Sequence, residues 1–92
     1  MISTIRIVIG GRVQGVGYRA WAVSAASKMG LRGWVRNRND GTVEAVFSGE
    51  EDMVKAMIEA CKTGPATSRV ESIESFTWKE EVAGQFMARP TV

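Results

Sequence analysis

The tightest constraint on how this chain can fold is the run Gly11-Arg12-Val13-Gln14-Gly15-Val16-Gly17-Tyr18-Arg19, where one periodicity stops and another starts. Before it, residues 4–10 are rich in Ile and Val and read as a strand, with Ile5, Ile7 and Ile9 on one face and Arg6 on the other. After it, Ala22, Ala25, Ala26 and Met29 recur at helical spacing, which predicts a helix from Tyr18 to Met29 capped by Gly30. Glycines at 15 and 17 are what a tight turn between the two needs. Alanines on the inner side of that helix let it lie close on a sheet.

The rest of the chain completes a pattern. Residues 31–37 and 42–48 read as strands two and three, joined through Arg38-Asn39-Asp40-Gly41, a hairpin signal because Asp-Gly accepts positive φ. On strand three Val43, Ala45 and Phe47 are expected inward, against Glu44 and Ser48. Glu50, Glu51 and Asp52 place negative charge where a second helix begins, and Met53, Val54, Met57, Ile58 and Cys61 give it an apolar stripe. Lys62, Gly64 and Pro65 end it. Residues 69–79 read as strand four, in which Val70, Ile73, Phe76 and Trp78 break strict alternation and predict a bulge or a twisted edge. A short fifth strand is allowed between Gln85 and Arg89, stopped by Pro90.

This order predicts an α+β chain, the ferredoxin-like βαββαβ sandwich, with an antiparallel sheet and both helices on one face. Residues 1–92 are expected to form a single domain, without repeats or linkers. The first helix returns the chain, so strands one and two run the same way, and the hairpin places strand three antiparallel between them. The turn with Arg19 and the residue Asn37 therefore meet at one edge of the sheet although 18 positions apart.

Composition then removes whole classes of chemistry. There is no histidine, which excludes Ser-His-Asp and Cys-His triads, histidine bases and nearly every catalytic zinc site. The single cysteine, Cys61, excludes an intrachain disulfide and a cysteine metal cluster, and a buried structural thiol is the favoured reading. No stretch approaches the ~18 apolar residues of a membrane span. The N-terminal run is interrupted by Arg6 and lacks a signal-peptide layout, so a cytoplasmic protein is expected. Residues 1–39 hold Arg6, Arg12, Arg19, Lys28, Arg32, Arg36 and Arg38 with no acid, whereas the remainder is net acidic. A basic half that contains the glycine turn would attract a small anion.

A glycine-rich turn entering a helix offers several N–H groups to one anion, and a guanidinium beside it suits phosphate oxygens. The bland alternative is an ordinary strand-to-helix connection. Arg19 is awkward on that alternative, because the dipole disfavours a cation at a helix N-terminus and a shared anion would remove the conflict. Asn37 could hold a water by hydrogen bonds, or equally be the first residue of a turn. The residues alone leave those two readings of Asn37 even. Gln14 could hydrogen-bond within the turn, and Tyr18 could pack beneath it.

Taken in order, these residues resemble the two signatures of the acylphosphatase family. The first runs from Ile9 to Arg19, with Gly11, Val13-Gln14-Gly15-Val16, Tyr18 and Arg19 in place. The second runs from Gly33 to Gly49 through Trp34, Val35, Arg36, Asn37, Gly41 and Val43. One position departs, since Tyr18 stands where the family more often has Phe. The resemblance covers nearly the whole chain. It implies a metal-independent hydrolase of small acyl phosphates, needing no cofactor, in which water attacks phosphorus directly. It also implies that Gln14, Gly15, Val16, Gly17, Tyr18 and Arg19 bind the phosphoryl group and that Asn37 orients the water, so that Arg19 and Asn37 are catalytic. Inorganic phosphate would then be product and competitor, a monomer is expected, and neither nucleic acid nor membrane is a partner.

Two other readings have the same topology. A non-catalytic phosphate-binding regulatory module could use the same turn. An RNA-binding sheet would need aromatic rings where Ile5, Ile7 and Val43 stand, and is disfavoured.

Overall fold

In the computed structural model, which describes residues 1–92, the first strand, β1 (Ile2–Arg12), is the spine of the sheet. It pairs antiparallel with β3 (Val43–Glu50) from Ile2↔Glu50 to Ile9↔Val43, and with β4 (Arg69–Thr77) on its other side. Pairing with two partners of different reach extends β1 beyond the Ile/Val run at both ends. β2 (Arg32–Asn37) lies on the far side of β3, antiparallel to it, as the hairpin requires. A two-residue β5 (Met87–Ala88) adds parallel to β2, giving the order β4-β1-β3-β2-β5. The four main strands are antiparallel neighbours throughout, and β5 makes the five-stranded sheet mixed.

Helix α1 (Tyr18–Lys28) and helix α2 (Glu51–Cys61) cover one face. Ile7, Ile9, Val35, Val43, Ala45 and Phe47 from the sheet meet Ala22, Ala26, Val54, Met57 and Cys61 from the helices in one cluster of 15 buried residues. The fully buried Ala22 and Ala26 carry no side chain beyond Cβ, so α1 can approach closely. In α2 the residues Val54, Met57 and Cys61 are buried and Ile58 partly so. Met53, expected in that stripe, is 40% exposed. It precedes Val54 by one position, about 100° around the helix, and turns out of the seam.

The predicted irregularity in β4 is a bulge. Gly10 pairs with Ser72 but Gly11 with Val70, so Glu71 is the extra residue on β4. That insertion is why Val70 and Ile73, three apart, both pack against the core. Phe76, on the other face, lies under the Arg6 guanidinium at 5.0 Å.

The face without helices departs most from expectation. Glu44 and Ser48 do point away from the core, yet they are only 5% and 4% exposed. Arg6 Nε and Arg36 Nε donate to the two Glu44 oxygens at 2.6 and 2.7 Å, and Thr4 and Ser48 hydroxyls share a bond. Arg36 and Arg89 both stack on Trp34, at 4.6 and 4.7 Å. Burial alone would raise the Glu44 carboxyl, but the bonds from Arg6 and Arg36 outweigh it and hold it below the usual carboxylate range. Its contribution to stability is thus present above the unfolded carboxylate pKa and lost as the pH falls through the lower folded value.

Candidate active site

Between β1 and α1 the backbone alternates in hand. Gly15 and Gly17 have φ of 72° and 81°, while no non-glycine residue in the chain has positive φ. A Cβ at either glycine would meet nothing within 4 Å. Glycine is needed there for the left-handed backbone, which costs other residues about 1–2 kcal/mol, and not for want of space. Alternating φ along such a turn aims successive N–H groups into one concavity, the nest arrangement that suits an anion.

Those donors are free. The first backbone donor after the turn is Trp21 N–H, to Gly17 O at 3.0 Å, and none of the N–H groups from Gln14 through Ala20 has a protein acceptor. The α1 N-terminus brings no acidic residue in its first turn and no side-chain cap. It does bring Arg19, half-buried, with no ion-pair or hydrogen-bond partner.

Asn37 ends β2 opposite this turn. Its backbone O accepts from Val92 N–H at 3.2 Å and its side-chain amide has no protein partner. Gly15, Gly17, Tyr18, Arg19 and Asn37 line one cleft of about 330 Å³, together with Val13, Ala20 and Ala88. The connectivity argument therefore holds in space: Arg19 and Asn37 line a single cavity.

Apart from their free N–H groups, other residues of the turn make structural contacts. Tyr18 contributes to the cleft wall, but its ring is buried and its hydroxyl donates to the Cys61 carbonyl at 2.6 Å. Burial, then the neighbouring Cys61, drives the Tyr18 phenol up, and burial pushes the Cys61 thiol up to about 12 despite the Tyr18 bond. Neither serves as a nucleophile at neutral pH. The Val16 carbonyl accepts from Thr67 Oγ1 at 2.7 Å, which ties the tip of the turn to the segment before β4. Val16 does not line the cleft. Nor does Gln14, whose Nε2 donates to the carbonyls of Arg38 and Thr42, both at 2.8 Å.

The hairpin after Asn37 is itself braced. Asp40 accepts from Thr42 N–H at 3.0 Å and Thr42 Oγ1 at 2.6 Å, and these bonds hold its carboxyl below the usual range. Gly41 N–H closes on Arg38 O at 3.1 Å. Three cleft residues were not singled out from the sequence. Val13 lies inside the first signature and Ala20 directly follows it, so both were within reach of the sequence reading. Ala88 was not, since it reaches the cleft only through the parallel β2–β5 pairing.

Comparison with known proteins agrees with this geometry. The acylphosphatase family model matches residues 5–87. The chain is 55% identical over 84 residues to an acylphosphatase of Azorhizobium caulinodans, spanning 91% of this chain and 90% of that one. The crystal structure of acylphosphatase from Bacillus subtilis superposes with a TM-score of 0.90 at 38% identity, covering 97% and 99% of the two chains. The structure of an acylphosphatase from Coxiella burnetii gives 0.91 at 31% identity, covering 96% and 93%. With residues of both signatures lining one cleft and the family match running over residues 5–87, this chain belongs to the acylphosphatase family.

Proposed function

We propose that this acylphosphatase-family enzyme uses the cleft between the Gly15–Gly17 turn and Asn37 to hydrolyse small acyl phosphates to carboxylate and inorganic phosphate. One observation carries the reading. Gly15, Gly17 and Tyr18, whose N–H groups have no acceptor, Arg19, whose guanidinium has no carboxylate, and Asn37, whose side-chain amide has no partner, line the same 330 Å³ cleft. Unpaired donors at the mouth of a helix are complementary to a tetrahedral anion.

The chemistry follows from the donor set. Turn amides and Arg19 hold the phosphoryl oxygens and stabilise charge as it shifts during the displacement. Asn37 accepts a hydrogen bond from a water through its carbonyl oxygen and aims the water at phosphorus. The new P–O bond forms as the bond to the acyl oxygen breaks, and the carboxylate leaves with that electron pair. The proton lost by the water passes to a phosphoryl oxygen, so no side-chain base is needed. The cleft residues offer no carboxylate, imidazole or thiolate. Catalysis therefore rests on positioning and preorganised donors.

Residues 1–92 act in this reading as one unit, a monomer in the cytoplasm. The single unit is supported by the one core cluster that both helices share. The deciding experiment is hydrolysis of benzoyl phosphate in the presence of a chelator, with inorganic phosphate as competitor. Turnover with competitive inhibition is expected. Retained phosphate binding with no turnover would reduce the site to an anion-binding module.

A further inference from the structure

Gln14 lies in the phosphate-facing turn by sequence, but its amide is committed elsewhere. Both hydrogens of Nε2 are donated, to Arg38 O and Thr42 O at 2.8 Å each, across sequence separations of 24 and 28 residues. Arg38 directly follows Asn37, and Thr42 directly precedes Val43, the residue paired with Asn37 across the strands. The Gln14 side chain thus bridges the turn that offers the N–H groups to the hairpin that carries the amide. No other side-chain hydrogen bond joins the Gln14–Gly17 turn to this hairpin.

We infer that Gln14 is a positioning residue: it fixes the distance between the anion cradle and Asn37, and so sets how well the attacking water is aimed. This rests on the proposed reaction, in which Asn37 and the cradle act on one phosphorus atom. Rate is steep in such alignment, and a displacement near 1 Å costs on the order of 100-fold. The role demands a primary amide. A carboxylate at this position would face two carbonyl oxygens with no hydrogen to give.

The hairpin has its own supports, so loss of Gln14 leaves it folded. Arg38 O still accepts from Gly41 N–H at 3.1 Å, and Thr42 O from Arg38 N–H at 2.9 Å. The phosphate donors are also untouched, because they are main-chain groups and Arg19. The roles of binding and aiming can therefore be separated.

The test compares Gln14→Met, which keeps length and loses donors, with Gln14→Glu, using benzoyl phosphate turnover and the inhibition constant for inorganic phosphate. For Gln14→Met, kcat falls about tenfold while the phosphate constant stays within about twofold. For Gln14→Glu, kcat falls further at neutral pH and recovers relative to wild type as the acid protonates toward about pH 4, regaining one donor. Equal losses in kcat and phosphate affinity would overturn the inference by placing Gln14 on the phosphoryl group. Wild-type kcat with a lowered melting temperature would overturn it too, leaving only a structural bond. Wild type is run alongside: if it shows no turnover, the proposed reaction fails, whereas a turning-over wild type confines the result to Gln14.

Discussion

The two helices have the same length, 11 residues, and pack on the same face of the sheet, but their N-termini are built in opposite ways. Helix α2 opens with Glu51 and Asp52, whose charges oppose the positive end of its dipole, and its Glu51 N–H donates to Met1 O at 2.9 Å. Glu51 also pairs with Lys55 one turn on. Helix α1 opens with no acid and with a cation at Arg19. Neither helix has a side-chain cap, but only α2 has acids in its first turn and an acceptor for its first N–H. A helix end that neglects its own stability marks the place where a ligand is expected to supply the missing charge.

Four variants test that contrast. The largest effect is expected for Arg19→Gln, which removes a charge that the proposed reaction uses in both ground and transition states. Its kcat/KM should drop by about three orders of magnitude, with phosphate affinity falling as well. If phosphate affinity and turnover were both retained, the unpaired guanidinium would be incidental.

Next is Asn37→Ala, expected to cut kcat by about two orders of magnitude while the inhibition constant of phosphate hardly moves. That split separates aiming from holding, and wild-type turnover would remove Asn37 from the reaction.

Ala20→Glu would make α1 resemble α2 by placing an acid in the first turn, at an exposed position on the cleft rim. Phosphate affinity should fall about tenfold, and unliganded stability should rise by about 0.5 kcal/mol in chemical denaturation. A stability loss would show that the α1 terminus is not short of negative charge.

The smallest effect belongs to the converse change, Glu51→Gln with Asp52→Asn. Stability should fall by about 1 kcal/mol with kcat and phosphate affinity unchanged. Any change in catalysis would mean that the two helix ends are coupled.

How far the chain could be read in advance follows from how local each feature is. The change from two-residue to helical period around Gly15 and Gly17, and the Asp40-Gly41 turn, are local, and they fixed the order of elements. From that order the meeting of Arg19 and Asn37 followed by connectivity alone. The direction of the Gln14 side chain was not legible, because its acceptors lie on the hairpin and are chosen by tertiary packing. The burial of Glu44 was hidden for the same reason: alternation places it on the outer face, and only the arrival of Arg6 and Arg36 takes it out of water. The pairing of β5 with β2 rests on two residues, too few to leave a period.

The proposed use of main-chain amides as the anion cradle has a consequence for acidity. Peptide N–H groups and a carboxamide carry no proton that comes or goes in ordinary buffers, a guanidinium stays charged throughout, and the one phenol at the cleft is pushed still further from neutrality. A catalyst assembled from such parts has no titration of its own to display. Above the acid range in which Glu44 and Asp40 take up protons, curvature in its rate against pH should belong to the phosphoryl dianion of the substrate, so that the enzyme reports the ionisation of what it holds.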